Sequence, residues 1–169
     1  MNGNWNMLSG SDWARLLTAR PDLIDTCDWS KLDGSDWVSV LEKMPQLAKI
    51  CDWDRLSGFD WRRLLCSCPY LAKHCNWNKL DGSEICGLID DHPEFAQYCD
   101  LSKLNGRDWV RLVEQNGSFL DQIDLSKLDS DNWVDLMVKY PSFVEKFERY
   151  ERPNTKAREV SVKAEDLFV

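Results

Sequence analysis

Residues Cys51 to His74 read CDWDRLSGFDWRRLLCSCPYLAKH, and the chain restates this phrase on either side, as CDWSKLDGSDW from Cys27 to Trp37 and CNWNKLDGSEI from Cys75 to Ile85. No insertion or deletion separates the copies. On this period Trp5, Trp29, Trp53, Trp77, Leu101 and Leu125 share one column, with Leu8, Leu32, Leu56, Leu80, Leu104 and Leu128 three residues later. Gly10, Gly34, Gly58, Gly82, Gly106 and Ser130 follow, then Asp12, Asp36, Asp60, Glu84, Asp108 and Asn132. The next column is Trp13, Trp37, Trp61, Ile85, Trp109 and Trp133, so all nine tryptophans of the chain fall in two columns.

A fixed period of this length marks a solenoid, whose units cannot bury their apolar faces alone and do so against their neighbours. Within one unit, Trp61, Leu64 and Leu65 recur at i, i+3 and i+4, one stripe of an α-helix. Asp60 is expected to be its N-cap, accepting orphan backbone N–H groups of the first turn. Pro69 disfavours the α conformation at Cys68, so the helix should stop near residue 67 after about two turns. A second short helix should then carry Leu71, Ala72 and Cys75. Trp77 and Leu80, three apart with Gly82 behind them, suit a 3-10 turn closed by a glycine tolerant of positive φ. The fold expected is an all-α solenoid of six 24-residue units over residues 1–148, with a charged segment 149–169 that caps the last unit or binds a partner.

This 24-residue unit, with one α-helix, a second short helical piece and no strand, resembles the leucine-rich repeat variant class of bacterial solenoids. The resemblance implies alternating α and 3-10 helices wound as a right-handed superhelix. The Trp-x-x-Leu-x-Gly-x-Asp-Trp wording departs from that family's leucine and valine pattern and is similar to Trp-rich repeats of uncharacterised bacterial proteins. Neither resemblance carries an activity.

Composition narrows the function. Acidic residues outnumber basic ones by 29 to 21, for a net charge of −8, a balance that repels phosphate backbones unless basic residues gather on one face. Direct nucleic-acid binding is therefore not expected. The start, MNGNWNMLSGSDW, lacks the basic and apolar runs of a secretion signal, and no segment approaches the roughly 18 apolar residues of a membrane helix. With seven cysteines, the expectation is a cytoplasmic protein holding reduced thiols.

Cys27, Cys51, Cys75 and Cys99 form a column continued by Ile123 and Phe147, which points to core packing. Repeats spaced by about 8–10 Å leave these thiols too far apart for a chain of disulfides or a shared metal. Cys66, Cys68 and Cys86 with His74 and His92 give C-x-C rather than C-x-x-C spacing, and no metal, cofactor or small-molecule site is expected from them. Lys31, Arg55, Lys79, Lys103 and Lys127 each follow an acidic or amide residue by three, which reads as a repeated local charge pair rather than a ladder for phosphates. The Asp12, Asp36, Asp60 and Asp108 column reads as capping. No nucleophile, base and orienter converge, so an enzyme is not expected.

Columns also report exposure. Tyr70 shares one with Asp22, Gln46, Glu94, Ser118 and Ser142; Phe59 stands where other units have Ser11, Ser35, Ser83, Arg107 and Asp131. His74 and Tyr98 share a column with Thr26, Ile50, Gln122 and Lys146. These aromatics, beside Arg62, Arg63, Asp90, Asp91 and His92, are candidate partner-binding residues, since Tyr and Arg are enriched at hot spots. The expected function is a non-enzymatic protein-binding module, an adaptor or inhibitor. The alternatives are an acidic nucleic-acid mimic that blocks a basic groove, and a Cys/His metal or redox protein.

Overall fold

The computed structural model describes residues 4–150; the expected capping role of segment 149–169 therefore falls almost wholly outside the described residues. The chain is an all-α, short-helix repeat solenoid with no strand among the described residues. It divides into two compact units, Met1–Lys103 and Leu104–Val169.

In the first unit four ten-residue helices, α1 (Gly10–Ala19), α2 (Gly34–Lys43), α3 (Gly58–Ser67) and α4 (Gly82–Asp91), pack each on the next. Each is followed by a 3-10 helix beginning at proline: Pro21–Thr26, Pro45–Lys49, Pro69–His74 and Pro93–Tyr98. A single 3-10 turn, such as Trp53–Arg55 or Trp77–Lys79, then leads into the next α-helix. The second unit holds α5 (Gly106–Gln115), α6 (Ser130–Lys139) and a helical stretch over 143–150. Where Gly117 stands in the proline column, the 3-10 piece shortens to Gly117–Phe119.

Tryptophan packing holds these short helices, which are too short to be stable alone. Trp13, Trp37, Trp61, Trp109 and Trp133 are buried on the inner face of their helices. The indoles of the 3-10 turns lie over them within the same repeat, Trp29 on Trp37 and Trp53 on Trp61 at 5.3 Å between ring centroids. The two columns differ in environment: Trp29, Trp53 and Trp77 are half-buried, and Trp5 is 37% exposed.

Several local readings need correction. The first helix ends at Ser67 as expected but runs ten residues rather than about two turns, because it starts at Gly58. Its N-cap is Ser57, not Asp60. The Ser57 hydroxyl accepts from the Asp60 backbone N–H, and the Asp60 carboxylate accepts from the Ser57 N–H at 2.9 Å, a reciprocal capping box. All six α-helices repeat this box, with Asn105–Asp108 and Asp129–Asn132 in the second unit. The second short helix is a 3-10 helix: Leu71 N–H bonds to Cys68 C=O and Cys75 N–H to Ala72 C=O, so six residues opened by a proline close i→i+3 bonds, and Cys75, expected within it, becomes the C-cap.

The glycine column also has another cause. No described residue, glycine included, has positive φ. The glycines sit at the first helical position, where a Cβ on Gly10 would overlap the Lys31 carbonyl and the Asp36 carboxylate of the following repeat. Gly34 meets Arg55 and Asp60 in the same way, and Gly106 meets Lys127 and Asn132. Close approach between repeats, not turn geometry, demands glycine.

The basic column is corrected likewise. Arg55 forms the local pair, with Asp52 at 2.9 Å. Its guanidinium and the Lys31, Lys79 and Lys103 ammonium groups reach back one repeat to pairs of backbone carbonyls. Lys31 donates to Asn6 and Leu8, both at 2.8 Å; Lys79 donates to Asp54 and Leu56, at 2.6 and 2.8 Å. Each cation thereby satisfies carbonyls that a three-residue 3-10 turn leaves unpaired.

Candidate partner-binding face on α3

On α3, Phe59, Arg62, Arg63, Cys66 and Ser67 follow one another at helical spacing on the side away from Trp61, Leu64 and Leu65. They line a cleft of about 340 Å³, closed on one side by Glu42 of α2 and on the other by Asp91 of α4. Phe59 is 61% exposed, whereas its column holds serine in α1, α2 and α4. Solenoid packing therefore does not require this ring.

The polar groups of the cleft are unequally occupied. Arg63 donates to Glu42 and to the Ser39 hydroxyl, both at 3.3 Å, and Ser67 donates to the other Glu42 oxygen at 3.3 Å. The Cys66 thiol donates to Asp91 at 3.0 Å. Burial first, and that bond second, push this thiol up to about 11, so it is not an activated nucleophile. Arg62 is different. Its column otherwise carries Ala14, Val38, Cys86, Val110 and Val134, and its guanidinium lies flat across Gly87 of α4, where any Cβ would overlap it. Among the described residues Arg62 makes no hydrogen bond or ion pair, and its Nε is buried without a partner.

The structure thus brings Phe59, Arg62, Arg63 and Asp91 together and places the other candidates elsewhere. His92 ends α4 and half-buries its ring, with Nε2 at 3.4 Å from the Cys66 carbonyl oxygen and Nδ1 at 3.3 Å from Glu94. Asp90 is exposed on α4. His74 stacks on Trp53 at 4.6 Å, covering the indole face opposite Trp61, and Tyr98 stacks on Trp77 at 5.3 Å while staying 54% exposed. These two rings act as covers for the 3-10 indoles. Tyr70 is exposed, and a hydrogen bond with Cys68 raises its phenol pKa. Glu42 and Gly87 escaped the sequence reading because they join the cleft from other repeats, Gly87 as its floor. The signal available was the break of the Ala/Val/Cys column at Arg62, matched one repeat later by glycine in the column of Arg15, Ser39 and Arg63.

The cysteine column is less buried than expected: Cys27 is buried, while Cys51, Cys75 and Cys99 are half-buried. Among the described residues, no three His, Cys, Asp or Glu side chains gather as metal ligands, and no helix is long and apolar enough to cross a membrane. In the second unit, a cleft of about 810 Å³ lies along the starts of α5 and α6, lined by side chains of both charges, including Arg107, Asp131 and Asp135. Compared with known families, curated proteins and solved structures, the chain matches none of them.

Proposed function

We propose that this chain is a non-enzymatic protein-binding module that occupies a partner's surface through the outer face of α3. The observation that carries this reading is the placement of Phe59, Arg62 and Arg63 around one cleft, with Phe59 in a column that α1, α2 and α4 fill with Ser and Arg62 in one that the other repeats fill with Ala, Val or Cys. An exposed aromatic beside arginines in a concave site matches the composition of binding hot spots. Whether occupation makes the protein an inhibitor or an adaptor depends on the partner. A cytoplasmic setting and a bacterial source belong to the same proposal, as does kinship with leucine-rich repeat variants, supported by the 24-residue period and the α/3-10 alternation.

The alternative of a nucleic-acid mimic rests on Asp and Glu outside the capping column, because Asp12, Asp36, Asp60 and Asp108 turn their carboxylates onto backbone N–H groups at helix starts. The test is affinity capture from the native host with Phe59→Ser and Arg63→Ser, residues already used at these columns by Ser35 and Ser39. Each should weaken the captured partner by about 2 kcal/mol, roughly thirtyfold, with an unchanged circular dichroism spectrum. Full retention of the partner by both variants would remove α3 as the binding face.

A further inference from the structure

We infer that the Arg62 cleft is a receptor for one carboxylate side chain of the partner, flanked there by an apolar residue that packs on Phe59. This rests on the protein-binding reading and names the chemistry of the group recognised.

Three observations converge on it. Arg62 replaces a small apolar residue and brings a guanidinium into a half-buried position that has no hydrogen-bond or ion-pair partner among the described residues. Leaving the buried Nε–H donor unpaired is costly. Next, the guanidinium is held in place: Gly87 gives it a flat floor, and the nearby acids are engaged. Glu42 accepts from Arg63 and Ser67, Asp91 from Cys66, and Glu84 from the Asp81 backbone N–H at 2.8 Å. A planar guanidinium matches a carboxylate through two parallel hydrogen bonds. Finally, Glu42 and Asp91 at the cleft walls disfavour a dianion more than a monoanion, which selects a carboxylate over a phosphate. Phe59, 61% exposed at the same cleft, offers apolar surface to the residue beside that acid.

The test uses the full chain labelled with ¹⁵N and follows the arginine Nε–Hε resonances by NMR, with Arg62 assigned through Arg62→Val. The probe is acetyl-Leu-Glu-Leu-amide, with acetyl-Leu-Gln-Leu-amide and sodium phosphate as comparison arms. The glutamate peptide should shift the Arg62 resonance saturably, with binding about tenfold tighter than the glutamine peptide. Arg62→Val, which installs the residue of Val38 and Val110, should abolish the response. Gly87→Ser, the residue of Ser39, keeps every charge but displaces the guanidinium, and should weaken binding by a similar factor. Equal binding by wild type and Gly87→Ser would reduce the contact to diffuse charge attraction and overturn the proposal. So would equal peptide affinities, or a phosphate response as strong as that of the glutamate peptide. Should the glutamate peptide fail while Phe59→Ser still abolishes partner capture, the carboxylate chemistry falls and the module reading stands; loss of neither refutes both.

Discussion

Lys79 shows how much one side chain does in a repeat this short. A three-residue 3-10 turn cannot satisfy its own last carbonyls, and Lys79 closes Asp54 and Leu56 from one repeat away. Two charge-assisted hydrogen bonds from a half-buried ammonium contribute more than a surface ion pair. Met7 occupies the same column in the first repeat and ends the equivalent 3-10 turn Trp5–Met7, so methionine is compatible with that turn. Lys79→Met should therefore destabilise the first unit by about 2–3 kcal/mol in urea unfolding, through lost carbonyl partners rather than through misfit. A change below about 0.5 kcal/mol would mean that water serves those carbonyls equally well.

Each α-helix begins with a reciprocal pair of side chains, and in α2 and α4 the titrations of the two oppose each other. In α2, the Asp33 carboxylate accepts from the Asp36 backbone N–H, and that bond holds its pKa below the usual carboxylate value. Burial against the Gly10 repeat raises the pKa of Asp36. The Asp33 contribution is present above its unfolded value of about 3.9 and is lost as pH falls through its lower folded value. The Asp36 contribution has the opposite sign: it is complete below about 3.9 and is lost as pH rises through the raised folded value. Asn132 fills this column in α6 and still accepts from the Asp129 N–H, so Asp36→Asn should keep the box while removing the buried charge. Thermal unfolding should show the variant gaining on wild type between pH 3 and pH 6, at about the range these carboxylates titrate. Parallel profiles would place the Asp36 carboxylate in water.

For the whole molecule, burial governs thiol chemistry. Cys27, Cys66 and Cys99 are pushed up to about 11, and Cys51 and Cys75 to about 12, with desolvation the largest cause in each. Since the thiolate is the nucleophile, the folded protein at pH 8 should be alkylated by iodoacetamide about a hundredfold more slowly at these positions than in urea. Mass spectrometry should find native chains either unlabelled or labelled throughout a unit, as expected when reaction waits for unfolding. Rapid labelling of Cys51 or Cys75 alone would contradict their packing in the repeat core. The same principle of shared environment made exposure legible: Phe59 and Tyr70 stand among polar column-mates and are exposed, and the helical tryptophans are buried.

The sequence by itself determined the period, the six helix positions, the end of α3 at Ser67 and the inward and outward columns. Positions equivalent by repetition must share one environment, so six variants of a residue report on it together. Only the tertiary structure decided what the glycine, lysine and arginine columns do, because their partners lie 21 to 26 residues away in the adjacent repeat rather than three along the same turn. Local spacing made Asp60 a cap, Gly82 a turn and Lys79 half of a charge pair. Stacking replaced the charge pair with a carbonyl clamp, set Gly10, Gly34, Gly58 and Gly106 in close approach to the following repeat, and joined Arg62 to Gly87 across two helices. Contacts across repeats depend on the distance between neighbouring backbones, which no single repeat encodes.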